Sequence, residues 1–493
     1  MQAFHNLVDH FKKINRFNHL SAICGWDAAA MMPSGGNQAR SEALAELSVH
    51  IHSLMTQPQL SDWFDKASEE VTTQDDLATL REMKRHWLHS NVLPEDLVQA
   101  KSLAGSKCEH AWRTQRGYND WVGFEKNWAE VVSLSQEEAR IRSEATGLNP
   151  YDSMLDIYEP GTYSDSLNTI FEDVKSWLPN LIDEAIEKQK SDNYLTPEGV
   201  FETSKQKALG LEVMSLLQFD FNHGRLDESV HPFCGGVDTD VRITTRYDEN
   251  EFTHSLMGIV HETGHARYEQ GRPTSLSGVP SGEARSMGIH ESQSLFFEMQ
   301  LGRSEPFIEH LSKLATKHFQ GKNEALFAKD NLHKLYTRVK KDFIRVDADE
   351  LTYPAHVILR YEIERDLING DIKHTDVPEL WDTKMQQYLG LSTQGNYKNG
   401  CMQDIHWTDG AFGYFPSYTL GAMYAAQFMA AMTQSVDVNS VIRSGDLTPI
   451  FDWLKQNIWS KGSLLTTDEL VRQATGDTLN TQHFKNHLTR RYL

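Results

Sequence analysis

The stretch GIVHETGHARYEQG, residues 258–271, contains two histidines four residues apart, with a glutamate directly after the first. On a helix, His261 and His265 would lie one turn apart on one face, a separation from which two imidazoles can hold one cation at about 2 Å. Glu262 would be rotated by about 100° from His261, so it could act on a water without being a ligand. The pattern indicates half of a zinc site. An ordinary helix with three polar residues is the alternative, and a third ligand must decide between them.

Candidates for that third ligand lie downstream. After Gly271 the sequence is rich in turn-forming residues, and helical periodicity resumes at about residue 285. A helix there would present His290 and Glu291 near one side. Two histidines and a helical glutamate form the His₂Glu ligand set of catalytic zinc sites, which leaves a fourth position for water. Spacing alone leaves His290 and Glu291 nearly equal as candidates, with Glu298 a weaker one.

The helix that carries the histidines has recognisable start and stop signals. Asp248 and Glu251 have the spacing of a capping box, which predicts that the helix begins near residue 249. Gly271, followed two residues later by Pro273, predicts its end. These signals predict a helix of about six turns.

A β-strand is predicted immediately before this helix. Residues 237–246 alternate apolar and polar side chains with period two. Asp240, Arg242 and Thr244 would therefore project to one side. Such a polar face is typical of an exposed edge strand, but its position next to the candidate metal helix also favours a role in the site.

Most of the remaining chain predicts helix. Apolar residues recur at every third and fourth position in segments such as 178–190, 208–219 and 356–368. Segment 417–433 is the most membrane-like, but it is short and contains Gln427, so we predict a buried core helix. No Pro- or Ser-rich linker divides the chain. We therefore expect a mainly α protein with a single domain over residues 1–493, arranged as two lobes.

Charge and composition limit the classes of partner that the protein can bind. The chain has 493 residues, with 48 Lys and Arg against 69 Asp and Glu, and a formal charge of −21. Such a surface repels phosphate backbones and anionic lipids, so we expect neither nucleic-acid nor membrane partners. A chain of this length can bury a large core without metal, so a bound metal would be functional rather than structural.

Cysteine usage and the N-terminus indicate a cytoplasmic location. Cys24, Cys108, Cys234 and Cys401 are far apart and form no CxxC pair, which argues against a disulfide framework. The first residues carry charges and histidines throughout, unlike a signal peptide. Neither Cys234 nor Cys401 has a partner base at a readable spacing, so we predict that both are small buried residues.

Six motifs occur in order along the chain. They are HPF (231–233), DVRIT (240–244), HETGH (261–265), HESQS (290–294), IRVDAD (344–349) and GCMQDIHW (400–407). Together they resemble the carboxypeptidase Taq family of zinc metallocarboxypeptidases. The N-terminal GWDAAAMMPSGGNQARSEALAELSVHIHSL and the late DGAFGYFPSYTLGAMYAAQ are also similar to that family. The resemblance spans essentially the whole chain, with no departure at any motif position.

The resemblance implies a two-lobed helical fold with a long central groove, a small antiparallel β-sheet near the active site and zinc at the floor of the groove. It implies one zinc ion per chain, for which cobalt can substitute, and a homodimer. It favours Glu291 over His290 as the third ligand, beside His261 and His265. Glu262 would take a proton from the zinc-bound water and deliver it to the departing amine.

A tetrahedral oxyanion needs a hydrogen-bond donor besides the metal. His406, Tyr414 and Tyr418 in QDIHWTDGAFGYFPSY are candidates, and related zinc peptidases use a histidine and a tyrosine from a comparable segment. We predict His406 and Tyr418, and the choice between the tyrosines stays open. For either tyrosine the alternative is a buried ring with a satisfied hydroxyl.

An enzyme that acts at a C-terminus must bind a free carboxylate, and a planar guanidinium does so with two hydrogen bonds. Arg345 matches the arginine of the family's IRxxAD motif and is the predicted residue. Its alternative role is a helix-surface ion pair with Asp349. Arg242 is the alternative carboxylate ligand, and His231 would help to close one end of the groove.

The resemblance implies that the function is removal of single residues from peptide C-termini, with broad side-chain tolerance and poor action at proline. The rivals are an oligoendopeptidase or dipeptidyl carboxypeptidase of related helical fold, and a peptide-binding protein without turnover. The intact HETGH motif and Glu291 argue against the binding protein, because a binder has no need for Glu262.

Overall fold

The computed structural model describes residues 1–493 and is built mainly of α-helices, as predicted. Before the sheet lie α1 Gln2–Ala30, α2 Asn37–Met55, α3 Gln59–Glu70, α4 Gln74–Asn91, α5 Glu95–Gly117, α6 Trp121–Thr146, α7 Pro150–Tyr158, α8 Ser164–Gln189 and α9 Thr203–Leu216. After it come α10 Thr253–Gly271, α11 Met287–Leu295, a π-helical segment Phe296–Gly302, α12 Glu305–His318, α13 Glu324–Phe327, α14 Lys329–Tyr336, α15 Tyr353–Asn369, α16 Val377–Leu389, α17 Pro416–Met432, α18 Val438–Ser444, α19 Thr448–Asn457, α20 Thr467–Thr475 and α21 Thr481–Tyr492.

Three hydrophobic clusters hold the fold together. The largest has 81 buried residues, which extend from Ala104 to Tyr492, and the second has 14 and is built from α1 to α4 with Val279. A third cluster of seven buried residues packs the sheet against α9 and α10. The first four helices therefore pack mainly on one another, and most of the helices after them share one large core.

The helices predicted from periodicity are present. The three quoted segments fall in α8, α9 and α15, although α9 ends at Leu216, before the predicted end. Segment 417–433 forms α17, most of which is buried, and the Gln427 amide donates a hydrogen bond to the Thr478 carbonyl at 2.9 Å. The buried core helix is thus confirmed. None of the helices combines the length and hydropathy that crossing a membrane requires.

The sheet has three strands, β1 Gly224–Glu228, β2 Cys234–Val237 and β3 Asp240–Thr245, in the spatial order β1-β3-β2. Strand β3 is antiparallel to β2 but parallel to β1. The prediction of an antiparallel sheet is therefore wrong for one of its two pairings. The chain leaves β1, forms the far edge as β2 and returns through a tight turn, which brings β3 between them in the direction of β1.

The single strand predicted over residues 237–246 is in fact a hairpin that turns at residues 238 and 239. Gly236, in β2, has φ of 89°, and a Cβ atom there would lie 2.1 Å from the Asp240 carbonyl oxygen, so the hairpin requires glycine. Strand β3 is central rather than exposed at an edge. Thr244, assigned to the polar face, is fully buried and accepts a hydrogen bond from the Phe233 amide.

Helix α10 begins at Thr253, later than the predicted residue 249, and ends at Gly271 as predicted. The Asp248 carboxylate accepts a hydrogen bond from the Asn250 amide and so stabilises a turn before the helix. The Glu251 carboxylate accepts from the amides of Thr253 and His254, which caps the first turn. The helix has 19 residues, or about five turns.

Candidate metal centre

Two glycines allow the helices around the site to approach closely. On α10, a Cβ atom at Gly264 would lie 2.5 Å from the Gln293 carbonyl oxygen of α11. On α17, a Cβ atom at Gly421 would lie 2.8 Å from the Cβ atom of Glu291. Helix α11 is therefore held between α10 and α17 at distances that larger side chains would prevent, and this position brings Glu291 to the histidines of α10.

His261, His265 and Glu291 form a cluster whose candidate ligand atoms all lie within 4.8 Å of one another. The Nε2 atom of His261 is 3.9 Å from Oε1 of Glu291, and that of His265 is 3.5 Å from Oε2. All three side chains are at most 22% exposed. Two imidazole nitrogens and a carboxylate oxygen are the donors of a catalytic zinc site, so these residues fit a divalent cation.

Glu298, the weaker candidate ligand, lies behind His261. Its carboxylate accepts from Nδ1 of His261 at 2.8 Å and is held by Arg303 at 2.6 Å. Although burial opposes the shift, the hydrogen bond to Glu298 and the charge of Glu291 raise the pKa of His261 to about 10. Glu298 therefore supports the first histidine instead of joining the three-residue cluster.

His290 lies behind His265, on the side away from Glu291. Its Nδ1 atom is 2.6 Å from Nδ1 of His265, and its Nε2 atom is 2.8 Å from Oε1 of Glu269. Both ring nitrogens are thus engaged within the protein. This geometry favours Glu291 over its neighbour as the residue that faces the two Nε2 atoms.

Glu262 is 8% exposed, and its carboxylate makes no hydrogen bond to another protein group. Burial raises its pKa to about 7, while His261 acts in the opposite direction and Glu291 adds to the increase. A free carboxylate with a pKa near neutrality can both accept and release a proton.

A second group of residues surrounds Arg345, which is 6% exposed in a 3₁₀ turn, Arg345–Asp347. Its Nε atom donates to Asp404 at 2.9 Å and its Nη1 atom donates to the Tyr353 hydroxyl at 2.7 Å. Asp404 also accepts from Nε of Arg360 at 2.6 Å. The alternative helix-surface ion pair is not formed, because Arg345 is not in a helix and Asp349 accepts from backbone amides instead.

His406 and the tyrosines pack next to this arginine. The His406 Nε2 atom is 3.2 Å from the Tyr418 hydroxyl, and the Arg345 guanidinium lies 5.1 Å from the centre of the Tyr418 ring. Burial, then the charge of Glu291, raises the pKa of Tyr414 to about 12. Burial and the charge of Arg345 lower the pKa of His406 to about 4.

Two predicted substrate-binding residues make their contacts elsewhere. Arg242 donates two hydrogen bonds to Asp240 and its guanidinium lies 4.6 Å from the centre of the Trp26 ring. His231 is exposed in the loop before β2. The structure shows no contact between either residue and the histidine–glutamate cluster.

Sequence reasoning missed several supporting residues. Asp404, Tyr353, Glu269 and the role of Glu298 received no prediction, although Asp404 belongs to the GCMQDIHW motif. A carboxylate two residues before a candidate catalytic histidine was the one available signal. All four cysteines are free; Cys401 is buried as predicted, whereas Cys234 is only partly buried, so the prediction is wrong for Cys234.

The helical fold and its partly buried cluster of two histidines and two glutamates, His261, Glu262, His265 and Glu291, define a metal-dependent hydrolase. The family model described as carboxypeptidase Taq (M32) metallopeptidase matches residues 6–492, and the chain belongs to this family. It is therefore a metallocarboxypeptidase, a hydrolase of peptide bonds that uses a divalent metal.

Named relatives align with this chain over nearly the full length of both proteins. Thermostable carboxypeptidase 1 of Thermus thermophilus is 34% identical over 503 residues, which cover 99% of this chain and 98% of the relative. Carboxypeptidase 1 of Bacillus subtilis is 33% identical and covers 98% and 97%. The structure of Trypanosoma cruzi metallocarboxypeptidase 1 matches with a TM-score of 0.98 and 46% identity, over 100% of this chain and 99% of the other.

Proposed function

We propose that the enzyme removes single residues from peptide C-termini with broad side-chain tolerance and poor action at proline, using one zinc ion held by His261, His265 and Glu291. The observation that carries the proposal is the convergence of these three donors within 4.8 Å, beside an unengaged buried carboxylate. Cobalt accepts the same donors and would substitute. When bound, the metal would polarise the scissile carbonyl and lower the pKa of a water molecule.

Glu262 is the proposed general base and acid. Its carboxylate is not held by any protein donor, and its pKa of about 7 suits a group that takes a proton from the attacking water. The same group would then give that proton to the departing amine. Burial keeps bulk water from competing for the proton during this exchange.

His406 and Tyr418 are the proposed donors to the developing oxyanion. Their hydrogen bond at 3.2 Å holds both groups on one side of the arginine cluster. The Tyr414 ring centre is 5.2 Å from that of Tyr418, so Tyr414 is the second candidate donor. Direct comparison of the two tyrosines by substitution would separate them.

Arg345 is the proposed ligand of the substrate's terminal carboxylate. Asp404 and Tyr353 occupy Nε and Nη1, but Nη2 makes no hydrogen bond within the protein. The charge of Asp404 holds the guanidinium in place, which reduces the cost of ordering it on binding. Arg242 is less suited to this task because Asp240 already occupies it with two hydrogen bonds. We retain for His231 the role of closing one end of the groove.

We further propose that the enzyme is a cytoplasmic homodimer and that each chain is a single domain of two lobes around the groove. The continuous core that extends from Ala104 to Tyr492 supports the single domain. Peptides are the proposed substrates, without nucleic-acid or membrane partners. The formal charge of −21 supports this last expectation.

Product analysis tests the proposed reaction. The enzyme is incubated with a short unblocked peptide, with the same peptide carrying a C-terminal amide, and with chelator followed by added zinc. We expect single amino acids from the C-terminus of the free peptide, loss of turnover with chelator and recovery with zinc. Release of dipeptides or internal fragments would support the rival peptidases, and no turnover under any condition would support the peptide-binding protein.

A further inference from the structure

The two histidines of the candidate metal cluster are supported in different ways, and the difference lies in His290. We propose that His290 is a positioning residue which, together with Glu269, fixes the tautomer and ring orientation of His265. This inference rests on the proposed function, in which His265 is a metal ligand. It extends that function to two residues that do not themselves face the cluster.

The direction of each hydrogen bond follows from the proposed role of His265 as a metal ligand. The Nε2 atom of His265 faces Glu291 and must be free of a proton to bind a cation, so the proton of its neutral ring is on Nδ1. That Nδ1–H group donates to Nδ1 of His290 at 2.6 Å. His290 must then carry its own proton on Nε2, which donates to the Glu269 carboxylate at 2.8 Å. Each proton in the series is placed by the next acceptor.

The outer end of this series is held by charge. Nε of Arg272 lies 3.0 Å from Oε2 of Glu269, and the side chains of these two residues and His290 are only 14–20% exposed. Glu269 follows His265 by one helical turn on α10, whereas His290 directly precedes Glu291 on α11. Helix α11 therefore supplies both a candidate ligand, Glu291, and His290, the residue that orients another ligand. The packing of α10 on α11 sets the distances from His265 to both of these residues.

His261, the other histidine, is hydrogen-bonded directly to a carboxylate, without an intervening residue. Nδ1 of His261 donates directly to the Glu298 carboxylate at 2.8 Å, with Arg303 behind it. A carboxylate accepts with full charge, whereas His290 accepts as a neutral ring. The His265 support therefore acts mainly through orientation. Groups that orient a metal-bound histidine in this way typically change metal affinity by about 10–100-fold when removed.

Three substitutions of one residue separate orientation from packing. The oxygen of His290→Asn can occupy the place of Nδ1 and accept from His265, whereas His290→Gln places its amide near Nε2 and serves only Glu269. His290→Leu removes both contacts. Zinc affinity is measured by competition with a chromophoric chelator, and zinc dissociation is followed by stopped flow. His310→Asn is the control, because the Nε2 atom of His310 donates to the Ile442 carbonyl at 2.7 Å and not to a residue of the metal cluster.

We expect His290→Leu to bind zinc about 10–100-fold more weakly and to release it faster. His290→Asn should recover most of the lost zinc affinity, whereas His290→Gln should not. His310→Asn should match the unsubstituted enzyme. A packing role alone would weaken all three variants alike and would overturn the proposal, as would wild-type affinity in His290→Leu.

Glu269→Gln serves as a second variant should His290→Leu fail to fold. It keeps an acceptor for His290 but removes the charge that fixes it, so we expect a several-fold loss of zinc affinity, smaller than that of His290→Leu. Unchanged zinc affinity in Glu269→Gln would overturn the proposal that Glu269 acts through His290. If the unsubstituted protein itself binds no zinc, the proposed function falls as well, so the two failures are distinguishable.

Discussion

The metal cluster and the arginine cluster form two halves of one candidate site, but they are built differently. The metal cluster is carried by two packed helices, α10 and α11, and its three candidate ligands come from two short motifs. The arginine cluster is built from a 3₁₀ turn, the start of α15 and a loop, and its central hydrogen bond joins residues 59 positions apart, Arg345 and Asp404.

This difference indicates a division of work. The metal half brings together donors and a free carboxylate, Glu262, which suits bond cleavage. In the arginine half, aromatic rings and one aspartate surround the Arg345 guanidinium, and this arrangement suits recognition of a substrate anion. If the halves are separate in function, substitutions in one should change kcat and those in the other should change KM.

The largest expected effect is that of Glu262→Gln. Removing the general base should lower kcat by about 10²–10⁴-fold while zinc stays bound, because the three candidate ligands are unchanged. Steady-state kinetics and zinc content by atomic absorption check this result. Wild-type turnover in a zinc-loaded variant would contradict the proposed role of Glu262.

The next expected effect tests the place where the two halves meet. Tyr418→Phe should lower kcat by about 10²-fold with little change in KM, because it removes a donor to the developing oxyanion. Tyr414→Phe is the matched control, with the same loss of a hydroxyl from a neighbouring ring. Reversal of the two results would transfer the role to Tyr414, and small effects in both would remove tyrosine from the mechanism.

Arg345→Ala tests the recognition half. Loss of a buried guanidinium that pairs with the substrate carboxylate should cost about 2–3 kcal/mol, or roughly 30- to 150-fold in KM for free peptides. Amidated peptides should show a much smaller change. Arg242→Ala is the control and should leave this ratio unaltered. Equal effects of Arg345→Ala on both kinds of peptide would exclude the carboxylate role.

The smallest expected effect concerns helix packing in the metal half. Gly264→Ala should reduce the free energy of unfolding by about 1–2 kcal/mol and weaken zinc binding, because its new Cβ atom would push α11 from α10. Gly258→Ala, on the same helix, has no atom within 4 Å of the new Cβ and should be neutral or stabilising. Denaturant unfolding measures both. Equal stability of the two variants would show that this close approach is not required.

The same contrast explains what the sequence could predict. Helical periodicity determines which side chains share a face, so the placement of His261 beside His265, and of Glu291 on the next helix, followed from spacing. The hairpin turn was missed because alternation continued across residues 238 and 239, whereas the antiparallel pairing of β2 with β3 and the positive φ of Gly236 reveal it. The start of α10 was predicted too early because Asp248 stabilises a turn instead of the helix.

Long-range contacts lay outside such reasoning. No local pattern indicates that Asp404 bonds both Arg345 and Arg360, because loops bring these residues together. The position of Glu298 behind His261 depends on a π-helical segment, which departs from the 3.6-residue period used for prediction. The motifs of the family indicated which residues to propose for the site, but only the structure shows their contacts.

The most direct test of the account is anomalous diffraction at the zinc edge from crystals of the zinc-loaded enzyme. We predict one peak per chain at about 2.0–2.2 Å from the Nε2 atoms of His261 and His265 and from a carboxylate oxygen of Glu291. His290 should remain behind His265, without contact to the metal. A peak bound by His290 or Glu298 in place of Glu291, or no peak at this cluster, would contradict the account.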